Sequence, residues 1–174
     1  MVFIGRCDAT ISSVSEIIVI AHNIRSTHNI GSIFRTCEGF GVSKIIISGY
    51  SPYPKLPTDT RLPHLVEKLT NQIHKSALGA EAMVPFEHSE NIDFEVLKKS
   101  GYAIIGLEQD ESSVMINKFV KPSKIALVLG EEVYGLTDEI RKQCDSLVEI
   151  PMSGKKESFN VSVAAGIALY ALTI

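Results

Sequence analysis

The chain has 174 residues, 45% of them hydrophobic and 21% charged, with a formal net charge of −3. That length suits a single domain, residues 1–174, with a sizeable core. The weak negative charge excludes a strong positive field that gathers nucleic acid from a distance, so any RNA or DNA contact must be a local patch. Three cysteines (Cys7, Cys37, Cys144) without C-x-x-C spacing argue against a disulfide framework or a zinc site and for a reducing compartment.

Arg6 and Asp8 break up the N-terminus before the apolar region of a signal peptide can form. The longest apolar tract, residues 161–174, is shorter than the ~20 residues of a membrane span. A cytoplasmic protein is expected. Residues 16–21 form a continuous β-branched run, the pattern of a strand buried on both faces. A polar loop over 22–29 follows. Ile30, Ile33, Phe34 and Cys37 then step at helical intervals, with Asn29 as the expected cap and Gly41 at the left-handed end position. Residues 44–48 return as a second buried strand, which implies a parallel pair with a right-handed crossover.

Residues 49–63 carry Pro52, Pro54, Pro57 and Pro63 and read as an irregular connection or an ordered substrate loop. Leu65, Leu69, Ile73 and Ala77 mark a helix by i, i+4 spacing. A short strand at 83–86, a helix at 93–100 ended by Gly101, and buried strands at 102–107 and 125–129 follow. Thr137 or Asp138 caps a helix through Cys144. Leu147, Val148 and Ile150 form a last strand, stopped at Pro151. Ser158 and Asn160 are capping types ahead of a helix carrying Val161, Ala164, Ala165, Ala168 and Leu169 on one face. Strands alternating with helices predict an α/β fold with a mostly parallel sheet flanked by helices.

Three loops after buried strands, at 22–29, 130–135 and 151–160, hold most of the polar residues, and ligands of open parallel sheets bind at such strand ends. Residues 130–137 match the frame of a phosphate loop, but Leu136 replaces its lysine and Glu131 and Glu132 would repel phosphate. No G-x-G-x-x-G run opens a helix. The five histidines show no metal-ligand spacing, so no metal is expected. Arg35 fits a solvated surface arginine as readily as a phosphate clamp or catalytic cation. Glu132 fits a simple ion pair. The density of donors at His22, Asn23, Arg25, His28 and Asn29 suits an anionic ligand or an ordinary polar loop.

These loops resemble the three motifs of the SpoU (TrmH-like) RNA methyltransferases. Asn23-Ile24-Arg25-Ser26-Thr27-His28-Asn29-Ile30-Gly31-Ser32-Ile33-Phe34-Arg35-Thr36 is similar to the first. Leu127-Val128-Leu129-Gly130-Glu131-Glu132-Val133-Tyr134-Gly135-Leu136 is similar to the second, and Ile150-Pro151-Met152 through Ser158-Phe159-Asn160-Val161-Ser162 to the third. The three stand in order and cover nearly the whole chain. The resemblance implies a C-terminal deep trefoil knot and a homodimer paired largely through the last helix. It implies S-adenosylmethionine as methyl donor and a ribose 2′-hydroxyl of tRNA or rRNA as acceptor. A base methyltransferase and a catalytically idle RNA-binding protein are the alternatives.

By position, the resemblance makes Arg35 the catalytic arginine. A guanidinium with a pKa above ~12 is an awkward base, so orienting an RNA phosphate and stabilising the nascent alkoxide is the more conservative role. Asn29 and Glu132 match the polar residues around it, and Ser158 and Asn160 the pair beside the reacting centre. Leu107, Gly130, Ile150, Met152, Ser158 and Phe159 fall where the family wraps the donor. Glu131 stands where the family commonly has asparagine and Phe159 where it commonly has leucine. No additional RNA-binding domain is expected, which leaves Arg6, Arg25, His28, Arg35, Lys55 and Arg61 to meet the RNA, mainly through phosphate and shape.

Overall fold

The computed structural model describes residues 15–174; Arg6, Cys7 and Asp8 lie outside them. At its centre is β1 (Glu16–His22), five of whose seven residues are buried because neighbouring strands and helices cover both its edges and both its faces. The other strands are β2 (Lys44–Ser48), β3 (Phe86–Ser89), β4 (Ala103–Leu107), β5 (Val114–Met115), β6 (Lys124–Leu129) and β7 (Ser146–Glu149). They form one sheet in the order β3-β2-β1-β6-β4-β7-β5, every pair parallel. All the strands therefore end on one edge.

The helices are α1 (Thr27–Gly39), α2 (Pro63–Ala77), α3 (Phe94–Lys99), α4 (Asp138–Gln143) and α5 (Val161–Thr173). Side chains alternate across a strand, so β1 sends Ile17, Val19 and Ala21 to one face and Ile18 and Ile20 to the other. The first face meets Ile30, Ile33, Phe34 and Cys37 of α1, Ile73 and Ala77 of α2 and Ala165, Ala168 and Leu169 of α5. The second meets Phe94 and Leu97 of α3 and Ile140 of α4. The α/β expectation holds, with helices on both faces.

Three local expectations change. Helix α1 begins three residues earlier, because the Ser26 hydroxyl accepts from the Asn29 backbone N–H at 3.3 Å. Serine caps as well as asparagine, and with Ser26 in that role Asn29 is buried in the first turn with its amide free for other work. On α2, Val66 rather than Leu65 faces the core, since Pro63 starts the helix and turns Leu65 outward, 42% exposed. Strand β3 lies three residues later than expected, after a 3-10 turn at Ala80–Ala82; its register begins where the Pro85 carbonyl accepts from the Ile45 N–H at 2.9 Å. The two-residue β5 was too short to show a period.

Gly31 is where α1 touches α2. A Cβ there would lie 2.3 Å from the Ile73 carbonyl oxygen and 2.2 Å from Ser76 Oγ. Alanine gains about 1 kcal/mol in helix propensity, but prying two backbones apart costs about 3 kcal/mol. Gly31→Ala is expected to lower Tm by about 4–8 °C, measured by thermal unfolding; an unchanged Tm would show that the two helices separate freely.

Candidate active site

Two hollows lie on the sheet edge where the strands end. The first, of about 330 Å³, sits over β6, β4 and β7 and is lined by Leu107, Gly130, Ile150, Ser158 and Phe159 among others. Of the residues expected around a donor, only Met152 is outside this wall. Glu108, Glu149 and Glu157 also line it and were not anticipated. Glu108 pins the wall: its carboxylate accepts from the Leu136 N–H at 2.6 Å and the Gln109 N–H at 3.0 Å. A carboxylate immediately after a buried parallel strand was the available signal.

The turn at 130–136 closes on itself. Glu131 and Gly135 exchange backbone hydrogen bonds at 3.1 and 3.0 Å. Gly135 takes φ +66°, a conformation open to glycine. Gly130 sits so near it that a Cβ would lie 2.5 Å from the Gly135 carbonyl carbon.

One chain of hydrogen bonds joins the three loops. Asn160 Nδ2 donates to Asn29 Oδ1 at 3.2 Å, and Asn29 Nδ2 donates to Glu132 Oε1 at 2.9 Å. The Arg25 backbone N–H donates to Glu132 Oε2 at 3.3 Å. Asn160 meanwhile caps α5, its Oδ1 accepting from the Ser162 N–H at 2.9 Å. Burial pushes the Glu132 carboxyl up, but hydrogen bonds from Asn29 and the backbone of Glu132, Arg25 and Ser26 outweigh it and hold the group below its ordinary 4.5. Its folded pKa is therefore below its unfolded one. The stability it contributes is full above about 4.5 and drains away as pH falls through the folded value. Asn29→Ala is expected to cost about 1.5 kcal/mol at pH 7. In denaturant unfolding the gap from wild type should shrink towards pH 3, and a gap independent of pH would mean that Asn29 does not act through the Glu132 charge.

Glu131, at the asparagine position of the family, forms an ion pair with the Arg25 guanidinium, whose Nε donates at 3.1 Å. Arg25 is thereby held above its ordinary pKa, chiefly by Glu131. The pair stands as a partition between the first hollow and a second one. The Arg61 guanidinium is already engaged. It lies 3.5 Å over the Tyr53 ring, donates to the Tyr53 and Pro54 carbonyls at 3.0 and 3.1 Å, and pairs with Asp59. Its Nε donates to Asp59 Oδ1 at 2.9 Å, and this pairing holds the Asp59 carboxyl well below the usual carboxylate range. Arg61 thus braces the proline-rich loop.

Ser158 is exposed on the cleft wall, and His28 and Lys55 are exposed on the surface. Arg35 lies on the exposed face of α1. It follows Asn29 by six residues, about 9 Å along the axis and two-thirds of a turn round. The structure does not draw it into the Asn29 network, and among the described residues it has no hydrogen-bonded or ionic partner.

The chain matches the SpoU rRNA Methylase family over residues 16–170. The chain belongs to the SpoU family. Among its relatives, the 23S rRNA (guanosine-2'-O-)-methyltransferase RlmB of Coxiella burnetii is 33% identical over 156 residues, 88% of this chain and 56% of the relative. A. aeolicus TrmH/SpoU tRNA modifying enzyme has the same fold with TM-score 0.72 at 27% identity, covering 91% of this chain and 74% of that one. The AdoMet-bound rRNA methyltransferase from Sinorhizobium meliloti superposes with TM-score 0.76 at 24% identity, over 91% and 56% of the two chains. This SpoU chain spans about half the length of the curated relatives it matches. Among its described residues, no helix is long and apolar enough to cross a membrane and no group of side chains has the makings of a metal site.

Proposed function

We propose that the chain transfers a methyl group from S-adenosylmethionine to a ribose 2′-hydroxyl of tRNA or rRNA. The observation that carries this reading is the Asn160–Asn29–Glu132 chain, which brings one residue from each SpoU motif together beside a cleft. The cleft fits the donor. Its apolar walls at Leu107, Ile150 and Phe159 suit an adenine ring, and the carboxylates of Glu108, Glu131 and Glu132 complement sulfonium and ammonium charge. The same carboxylates disfavour a nucleoside triphosphate.

When bound, the donor supplies an electrophilic methyl group. Glu132, ionised and hydrogen-bonded on both oxygens, is a fixed anion that orients Asn29 and through it Asn160. Ser158 and Asn160 orient the acceptor ribose. Arg35 holds an RNA phosphate and stabilises the oxyanion developing at the 2′-oxygen. The 2′-hydroxyl proton leaves through that phosphate to water. Arg25 and His28 add phosphate contacts, while Arg61 contributes by shaping its loop. The reading carries the family's homodimer and C-terminal knot, with the exposed Val163 and Tyr170 of α5 supporting a pairing face.

The test is incubation with methyl-labelled donor and bulk RNA, followed by digestion to nucleosides. Label in 2′-O-methylated nucleosides is expected. Label on bases would sink the ribose assignment, and no transfer with no donor binding would favour an idle RNA-binding protein.

A further inference from the structure

The second hollow, about 660 Å³, opens where β1, β2 and β3 end; Arg25 and Arg61 stand on its wall, but the roles already given to them leave the space beside Tyr50, Gln72 and Glu90 unexplained. That volume is within the range of small-molecule pockets, ~300–1,000 Å³. One wall is a rigid column: His88 stacks on one face of Tyr53 at 3.9 Å between centroids, and Arg61 covers the other at 3.5 Å. Both faces of Tyr53 are thus taken, and the Arg61 charge is spent on Asp59. The Ser51 hydroxyl is likewise spent on the Ala21 and Ser48 carbonyls, and the Tyr50 hydroxyl faces Arg25, but the Tyr50 ring is open. Tyr50 is 56% exposed, and Gln72 and Glu90 have no hydrogen-bonded partner among the described residues. At the partition stands Arg25, its side chain 60% exposed and two of its five N–H groups directed to Glu131.

An aromatic ring with a free face, two side chains able to read a polar edge and a cation at the mouth are what an unstacked nucleotide requires. The hollow also adjoins the reacting centre, because Arg25, on its wall, donates its backbone N–H to Glu132. We propose that this hollow receives an unstacked RNA base next to the acceptor ribose, its ring against Tyr50, its edge on Gln72 and Glu90 and its phosphate at Arg25. A carboxylate only accepts, so Glu90 selects a base edge that presents an N–H. The proposal rests on the RNA methyltransferase reading.

The test uses a short single-stranded RNA carrying 2-aminopurine, whose fluorescence is quenched by stacking, with calorimetry of donor binding as a check on folding. Tyr50→Ala is expected to raise the RNA Kd at least about fivefold and abolish the quench. Tyr50→Phe should keep both, Gln72→Ala should weaken binding, and donor affinity should stay within twofold throughout. RNA that binds equally to wild type, Tyr50→Ala and Gln72→Ala would overturn the proposal, as would a wild type that does not bind the probe. The two readings fail separately. Ribose methylation with an unchanged RNA KM in Tyr50→Ala removes the hollow alone. Tyr50-dependent quenching without any methyl transfer removes the methyltransferase reading and leaves an RNA-binding hollow.

Discussion

Arg35→Ala is expected to lower methyl transfer about 100- to 1,000-fold, the range seen when a single group that stabilises developing charge is removed. Donor affinity should hardly move. Arg35 is exposed on α1 and does not line the donor cleft, so truncation creates neither a cavity nor an unpaired buried group. Stability should likewise stay within ~0.5 kcal/mol of wild type, as for other surface substitutions. Single-turnover assays with saturating donor, alongside donor calorimetry, separate the two effects. Arg35→Lys keeps the charge but loses the bidentate fork, so it should recover only part of the rate. A loss of donor binding matching the loss of rate would place Arg35 in the donor site, contrary to its position on the helix.

Gly130→Ala should have the opposite signature. The added Cβ would meet only backbone: the Gly135 carbonyl carbon at 2.5 Å, its oxygen at 2.6 Å and the Leu136 nitrogen at 2.7 Å. Backbone cannot swing aside as a side chain does, so the turn must move. With it would go the Glu131–Gly135 bridge and the Glu108 contact to Leu136, which together shape one wall of the cleft. Overpacking of this kind costs ~1–3 kcal/mol; where the wall must be restored on binding, that is a loss of donor affinity of about fivefold or more at 1.4 kcal/mol per tenfold. Gly154→Ala is the control, since nothing lies within 4 Å of its Cβ position. Equal donor affinity in both variants would show that residues 130–136 do not form the donor's wall.

The long apolar runs at β1, β2, β4 and β6 were legible because strands buried on both faces leave no polar interruption. Their order was not. In a parallel sheet, neighbours in space are separated by crossovers, and nothing local in residues 16–21 says that β6 will lie beside them. The resemblance likewise pointed to five residues that line the first hollow, yet Arg25 and Arg61 were put side by side as cations for the RNA. Only the fold distinguishes them, because Arg61 has Asp59 two residues away and Tyr53 beneath it, while Arg25 meets Glu131 from a remote segment. Asn29 shows the limit most clearly. Its capping propensity was real, but Ser26 was placed to cap first, and the amide thus released became the link between the other two motifs. The second hollow draws on four separate segments, with no spacing in the chain to announce it.

The place of β1 in the sheet also bears on how the chain matures. Its partners on one side are residues 44–48, near at hand, but on the other they are residues 124–129. During synthesis at ~5–20 residues per second, that second edge stays open for roughly 5–15 seconds after β2 has emerged. Throughout that interval a bare, β-branched strand offers its backbone to any passing chain. The hydrogen-bond chain between the three loops closes later still, because Asn29 waits for Asn160, 131 residues downstream. Nascent forms thus carry an open, β-branched edge before the site between the three loops is assembled, which makes aggregation during translation a hazard built into this strand order.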